Sequence, residues 1–285
     1  MATASVAPVR VAGTGLRHHA RAVKVVLNRE LIRSGRDGKH LAAMLMQALL
    51  WLFVMGTGLG SVAPVGADGT DMRTFLFPGV LAMSVILTAM MSAGSVVWDR
   101  EFGFLREMLV APVSRTAIVL GKVFGGALAA TAQAMVILAF AGLVGVPYTP
   151  VLLAALVGDM FLAAFAVAAF GVMVAAHLRR MESFVGVSQM MLMPLLFVSG
   201  ALFPIGNLPT WLQVVTQVNP LTYTVDPLRR TVFAYVDASP EAAAVFDPGI
   251  SWGGWPVPVF VELLLVAGSG LVFLAVAVAR FRRTD

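Results

Sequence analysis

Six apolar runs, at about residues 41–62, 75–97, 116–145, 150–176, 184–203 and 256–279, each approach or exceed the roughly 20 residues a helix needs to cross hydrocarbon. Backbone amides in lipid have no water to bond, so such runs must fold as helices that satisfy their own hydrogen bonds. Hydrophobic residues make up 59% of the 285 and charged residues 12%, which is too apolar for an ordinary soluble globule. The formal charge of +5 would suggest nucleic acid in a soluble protein, but in this chain the placement of the bases matters more than their sum. The expected fold class is an all-α membrane protein with six transmembrane helices, residues 1–40 forming an N-terminal arm and 41–285 a single six-span domain.

Lys and Arg set the expected orientation. Arg10, Arg17, Arg21, Lys24, Arg29, Arg33, Arg36 and Lys39 precede the first run; Arg100, Arg106 and Arg115 follow the second; Arg179 and Arg180 follow the fourth; Arg280, Arg282 and Arg283 follow the last. The opposite side holds Arg73, Arg229 and Arg230, with Lys122 just inside a run. By the positive-inside rule both termini of this multi-pass protein are cytoplasmic. Residues 1–15 are small and irregular and do not read as a signal peptide, because the first apolar run begins only at Leu41. Leu16, Ala20, Val23, Leu27 and Leu31 then follow a 3.6-residue period with Arg17, Arg21, Lys24 and Asn28 beside them, the pattern of an amphipathic helix in the headgroup layer; the alternative is a solvated basic arm.

The stretch from Trp98 to Lys122 interrupts the apolar pattern. It carries Asp99, Arg100, Glu101, Arg106, Glu107 and Arg115, so it must project into water. Phe102, Leu105, Met108 and Leu109 fall on one helical face, and Pro112 ends it. A short amphipathic helix on the watery side needs something to bury its apolar face, either another protein or its own bundle. The loop between the fifth and sixth runs is roughly 50 residues long, unlike the short turns elsewhere. Within it Leu208–Val218 is apolar but too short to cross, which reads as re-entrant or interfacial, and Leu221–Tyr235 places Asp226 at helical pairing distance from Arg229 and Arg230.

Cys is absent, and His18, His19, His40 and His177 lack metal-ligand spacing, so neither a thiol site nor a zinc site is expected. Gly121-Lys122 is followed by Val123 and lacks the glycine five positions earlier, so the chain has no P-loop. No enzyme activity is expected of it.

Two stretches resemble the membrane subunit of type-2 ABC exporters, the family of the daunorubicin-resistance-type drug permeases and of permeases for polysaccharide and lipo-oligosaccharide export. In DREFGFLREMLVAPVSRTAIVLGK, at 99–122, the acidic-basic-acidic start, the glycine, the leucine-rich turn, Ala-Pro, Ser-Arg and Leu-Gly-Lys are similar to the family's cytoplasmic stretch. The run from Leu192 through Pro220-Leu221-Thr222-Tyr223 to Arg229 is similar to its C-terminal signature. Phe104 departs from the small polar residue the family commonly has after the glycine. The resemblance implies a bacterial inner (plasma) membrane and a homodimer or heterodimer with a second permease subunit, served by two cytoplasmic ABC ATPase subunits that carry the ATP and Mg, with no cofactor on this chain. It also implies a coupling helix between spans 2 and 3, in which Asp99, Arg100, Glu101, Phe102, Leu105, Arg106, Glu107, Met108 and Leu109 dock on the ATPase, the apolar ones as anchors and the charged ones as rim contacts. The exoplasmic re-entrant helices between spans 5 and 6 would then carry Pro204, Asn219, Pro220, Tyr223, Asp226 and Arg229.

Transport-path candidates are Gln133, Asp159, Gln189, Met190, Met193 and Phe197, though helix pairing and core packing account for them equally well. Lys122 and Glu262, each roughly 9 Å from the end of a span, read as interfacial anchors. Gly56 with Gly60, more than Gly121 with Gly125, is the dimer-seam candidate. The expected function is export of an amphipathic drug-like or lipid-like compound, energised by the partner ATPase; polysaccharide or lipo-oligosaccharide export is the alternative. An ion-coupled carrier is the rival from another class, and it would need a chain of ionisable residues at similar depth.

Overall fold

The computed structural model describes residues 16–36, 38–62, 72–103, 114–205, 208–237, 239, 242 and 245–283. Helix α1 (Leu16–Arg36) leads into a rod built of α2 (Gly38–Leu49), a π-helical stretch (Leu50–Met55) and α3 (Gly56–Val62). There follow α4 (Met72–Ala93), α5 (Ser95–Glu101), α6 (Arg115–Leu138), α7 (Pro150–Ala175), α8 (Met181–Phe197), α9 (Thr210–Val218), α10 (Thr222–Phe233) and α11 (Val259–Arg283). A short hairpin, β1 (Ser251–Trp252) paired antiparallel with β2 (Trp255–Pro256), precedes α11. Its turn is Gly253-Gly254, both at positive φ, which suits the tight turn that joins two strands.

Among the described residues five stretches are long and apolar enough to cross a bilayer: Ala42–Ser61, Met72–Glu101, Arg115–Leu138, Pro150–Ala175 and Val259–Phe281. The fifth apolar run of the sequence forms α8, whose 17 residues rise about 25 Å against a hydrocarbon core of about 30 Å. The third run also ends earlier than its hydropathy suggests. After Leu138 the chain turns through a 3₁₀ segment, Ala141–Val144, because the Tyr148 hydroxyl donates to Ala139 O at 2.6 Å and accepts from Gly142 N at 2.9 Å, taking backbone groups out of the helix.

The α4–α5 rod is the axis of the bundle, 78% buried, whereas Ala42–Ser61 and Val259–Phe281 are 17% buried and lie at the periphery. From Thr74 to Ala93 almost every α4 side chain faces α6, α7, α8, α10 or the α2–α3 rod, in a core of Phe75, Phe77, Leu81, Ile86 and Met90. Gly79 lies so close to the Ala201 carbonyl that a Cβ would collide with it, and this seats the turn after α8 on the axis. Breaks in the axis have local causes: Pro78 removes one helical donor, and Gly94 interrupts the rod where Met181 and Phe184 press in.

Helix α1 lies along α6. A Cβ on Gly121 would meet Val26 at 2.6 Å and one on Gly125 would meet Glu30 at 2.9 Å, so the two glycines form a groove in which α1 is seated. Gly121 and Gly125 thus serve a contact within the chain. Gly56, the dimer-seam candidate with Gly60, faces Arg73 of its own chain, whose Cγ a Cβ there would meet at 2.7 Å, and Gly60 is half-buried.

Candidate functional site

The end of the bundle carrying Glu101 and Arg115 is called the elbow end here. Because α5 prolongs α4, residues one helical turn apart, Ser95 and Asp99, face inward onto α1 and α6. Asp99 is 5% exposed and takes two bonds from Arg29 Nη2, at 2.9 and 2.8 Å, a charge-assisted pair. Lys122 of α6 enters the same space, with Nζ 2.6 Å from Asp99 Oδ2, 3.1 Å from Glu30 Oε1 and 2.9 Å from Ser95 Oγ. Two cations and two carboxylates therefore neutralise one another where three helices meet. Lys122 is 2% exposed, so the anchoring role expected of it is corrected: its amine turns inward to the two carboxylates and does not snorkel.

The next two residues hold different helices. Arg100 Nη1 donates to the carbonyls of Ala175, Ala176 and Leu178 at 3.4, 3.2 and 2.7 Å, occupying acceptors left open at the end of α7. Glu101 accepts from Met181 N–H at 3.0 Å, a carboxylate at the start of α8, where Arg180 makes no side-chain cap. On the other flank, Arg115 Nη1 donates to Phe281 O at 3.1 Å, near the end of α11. The two flanks of residues 104–113 are thus bonded to α1, α6, α7, α8 and α11.

Of the residues expected at the docking rim, Asp99 is buried and holds intrachain partners, while Arg100 is half-buried and Glu101 exposed, each with an intrachain bond. Phe102 is 61% exposed and Trp98, which the sequence pattern did not single out, is 43% exposed; their ring centroids are 5.0 Å apart. Arg29 and Arg33 join them around an open cleft of about 490 Å³. Leu105, Arg106, Glu107, Met108 and Leu109 lie outside the described residues.

The transport-path candidates fall in three separate places. Gln133 donates through Nε2 to Ser34 Oγ at 3.2 Å and so joins α6 to α1. Asp159 accepts from Thr231 Oγ1 at 2.9 Å, joining α7 to α10. Gln189, Met190, Met193 and Phe197 share an outward face of α8, where Met190 is 81% exposed.

At the far end, Asn219 bonds Leu195 O through Nδ2 at 2.7 Å and accepts from Leu221 N at 3.0 Å, which turns the chain between α9 and α10 beside exposed Pro220. Tyr223 donates to Gln217 O at 2.7 Å and accepts from Trp252 Nε1 at 2.9 Å. Pro204 is half-buried in the turn that follows α8. Arg229 is fully buried, bonded to Gly200 O and stacked 4.5 Å from the Phe75 ring centroid. Arg230 lies 3.5 Å from Asp226 and 3.4 Å from Glu262. Glu262 is 0% exposed and therefore not the interfacial group expected from its position. Asp247 completes this group; burial first, then the Asp226 carboxylate, raise its pKa to about 6 against the pull of Arg230 and Arg229. Among the described residues no group of His, Cys, Asp and Glu is arranged to hold a metal ion.

A family model described as ABC-2 type transporter matches residues 21–233 of this chain. Among curated proteins, the chain is 31% identical over 211 residues to ycf38 of Cyanophora paradoxa, named as a transport permease, covering 72% of each chain. It is 29% identical over 225 residues to YbhR of Escherichia coli (strain K12), named as a multidrug ABC transporter permease, covering 75% of this chain and 53% of that one. It is also 29% identical over 191 residues to Nodulation protein J of Rhizobium leguminosarum bv. viciae, covering 66% and 73%.

Proposed function

The chain belongs to the ABC-2 type transporter family, and from that premise we propose that it is the permease subunit of an ATP-driven exporter whose ATPase is a separate polypeptide docked on the elbow. The observation that carries this reading is the attachment of the elbow. Its flanks are bonded to α1, α6, α7, α8 and α11, so a displacement imposed on residues 104–113 reaches most of the bundle at once. The chain has no P-loop of its own, so nucleotide and Mg belong to the partner.

The mechanism follows from these bonds. Closure of two ATPase subunits on ATP draws together the elbows of two permease subunits, this chain and a second copy or a relative. Arg100 and Glu101 carry that movement to the α7–α8 turn, and Arg115 carries it to the end of α11. The cargo's different affinity for the inward-open and outward-open bundles then sets direction. Both termini face the cytoplasm of a bacterial inner membrane in this reading, with α9, α10 and the hairpin on the outer side. The cargo class is an amphipathic drug-like or lipid-like compound, which suits the exposed Met190, Met193 and Phe197 face of α8.

Co-expression with candidate ATPases, purification in nanodiscs and a screen for compounds that stimulate hydrolysis tests the reading. A co-purifying ATPase whose hydrolysis rises with an amphipathic compound supports it; if no ATPase co-purifies, the exporter reading is wrong. Stimulation by lipo-oligosaccharide alone would move the cargo class to the polysaccharide or lipo-oligosaccharide alternative.

A further inference from the structure

A second cleft lies at the elbow end between α1, α4 and α6, with a volume of about 270 Å³ and Arg33, Ser34, Ser92 and Gln133 among its walls. Its depth follows from helix register. Thr88 Oγ1 reaches Met44 Sδ at 3.2 Å, just inside the start of the apolar stretch Ala42–Ser61, so Thr88 sits where hydrocarbon begins. Ser92, one turn further on, is about 6 Å closer to the elbow. The cleft therefore straddles the boundary between acyl chains and headgroups.

Three of the polar side chains there, Arg33, Ser34 and Ser92, have protons to give, while Gln133 Oε1 is a buried acceptor without a donor among the described residues. Arg33 has no carboxylate partner among the described residues, its contact being the Trp98 ring at 6.0 Å from the centroid. Ser34 accepts from Gln133 and keeps its own proton to give, and Ser92 makes no hydrogen bond among the described residues. Glu30 also lines the cleft, and its carboxylate is paired with Lys122 at 3.1 Å. An adjoining groove of about 180 Å³ runs along α6 past Ala129, Ala132 and Val136 and is mostly apolar. Among the described residues, one guanidinium without a carboxylate partner and two hydroxyls with a proton to give, beside an apolar groove, match an anionic headgroup with its chain.

We propose that this cleft binds the phosphodiester of an anionic glycerophospholipid from the adjacent leaflet, with Arg33, Ser34 and Ser92 as donors and the acyl chain along Ala132 and Val136. The volume suits a headgroup and not a whole amphiphile. The site is independent of the ATPase, and it ties α1 to the membrane at the point where α1 meets α6.

Native mass spectrometry of the purified full chain, titrated with phosphatidylglycerol or with phosphatidylcholine, tests it. The expected result is one phosphatidylglycerol held more tightly than phosphatidylcholine, with affinity falling about fivefold in Arg33→Gln, the worth of one arginine beside an anionic lipid. Ser92→Ala should lower it about threefold, and Arg21→Gln, an exposed base on the same helix outside the cleft, should leave it unchanged. Equal losses in Arg21→Gln and Arg33→Gln would mean general surface attraction and overturn the site. Undiminished binding in Arg33→Gln, with an unchanged thermal midpoint, would overturn it as well. Displacement of the lipid by millimolar inorganic phosphate would reassign the cleft to a soluble phosphate and overturn the lipid assignment.

Discussion

The two buried ionic clusters, one at each end of the bundle, hold their charge differently. At the elbow end Arg29 and Lys122 face Glu30 and Asp99 in equal numbers, within 2.6 to 3.1 Å at the close contacts. At the far end Arg229 and Arg230 face three carboxylates, Asp226, Asp247 and Glu262, and the nearest Arg–carboxylate distances are 3.4 and 3.5 Å. Both Asp226 oxygens, Glu262 Oε2 and Asp247 Oδ1 are buried without a hydrogen-bond donor. A neutral, closely bonded cluster is a clamp: each charge depends on the others being present. An acid-rich, loosely bonded one holds three carboxyl groups against two guanidiniums at longer distances. The clamp sits where movement is proposed to enter the molecule, and the looser cluster sits around the segments between α8 and α11.

The largest effect expected is from Lys122→Met, which keeps the side-chain volume and leaves two buried carboxylates with Arg29 alone, 2.8 Å from Asp99 and 3.7 Å from Glu30. Breaking a buried pair by removing one partner costs about 3–5 kcal/mol, so the variant should express poorly and lose thermal stability in nanodiscs. A variant as stable as the parent would dissolve the clamp. A paired comparison sharpens the contrast: Glu30→Gln should cost about 1–3 kcal/mol, because Lys122 loses charge-assisted bonding, whereas Glu262→Gln should be near neutral or stabilising, because it relieves a surplus carboxylate. If thermal midpoints show equal losses, the two clusters do not differ as described.

The smallest effect concerns pH. Asp247 titrates near 6 when folded and near 3.8 otherwise, so its contribution to stability is complete below about pH 4 and is lost as pH rises through 6. After allowance for solvent screening of a half-buried group this is about 1 kcal/mol. Thermal midpoints between pH 5 and 7 should therefore fall less in Asp247→Asn than in the parent; parallel slopes would contradict the raised value.

How much of this was readable beforehand depended on range. Long apolar runs betrayed the crossing helices because their length is a local property. The turn at Asn219-Pro220 and the pairing of Asp226 with Arg230 were equally local, and both were found. The partners of Asp99 and Lys122 were not legible: Glu30 and Lys122 are 92 residues apart, and nothing in either neighbourhood names the other. A clue was present in Glu30, the single acid of a basic helix. The groove at Gly121 and Gly125 that brings them together is a spacing too common to be decisive alone. The burial of Asp99 was not legible for a related reason, since charge predicts exposure until a packed partner is known.

The absence of cysteine from the chain makes one measurement especially direct. Phe102→Cys places a single thiol on the exposed face of the elbow. Treated with a short bifunctional cross-linker in the co-purified complex, it should give an adduct of permease and ATPase that is lost when Trp252→Cys, in the far-end hairpin, is used instead. An ATPase that co-purifies yet is never cross-linked from position 102, while position 252 reacts with it, would place the motor at the wrong end of the molecule and contradict the account.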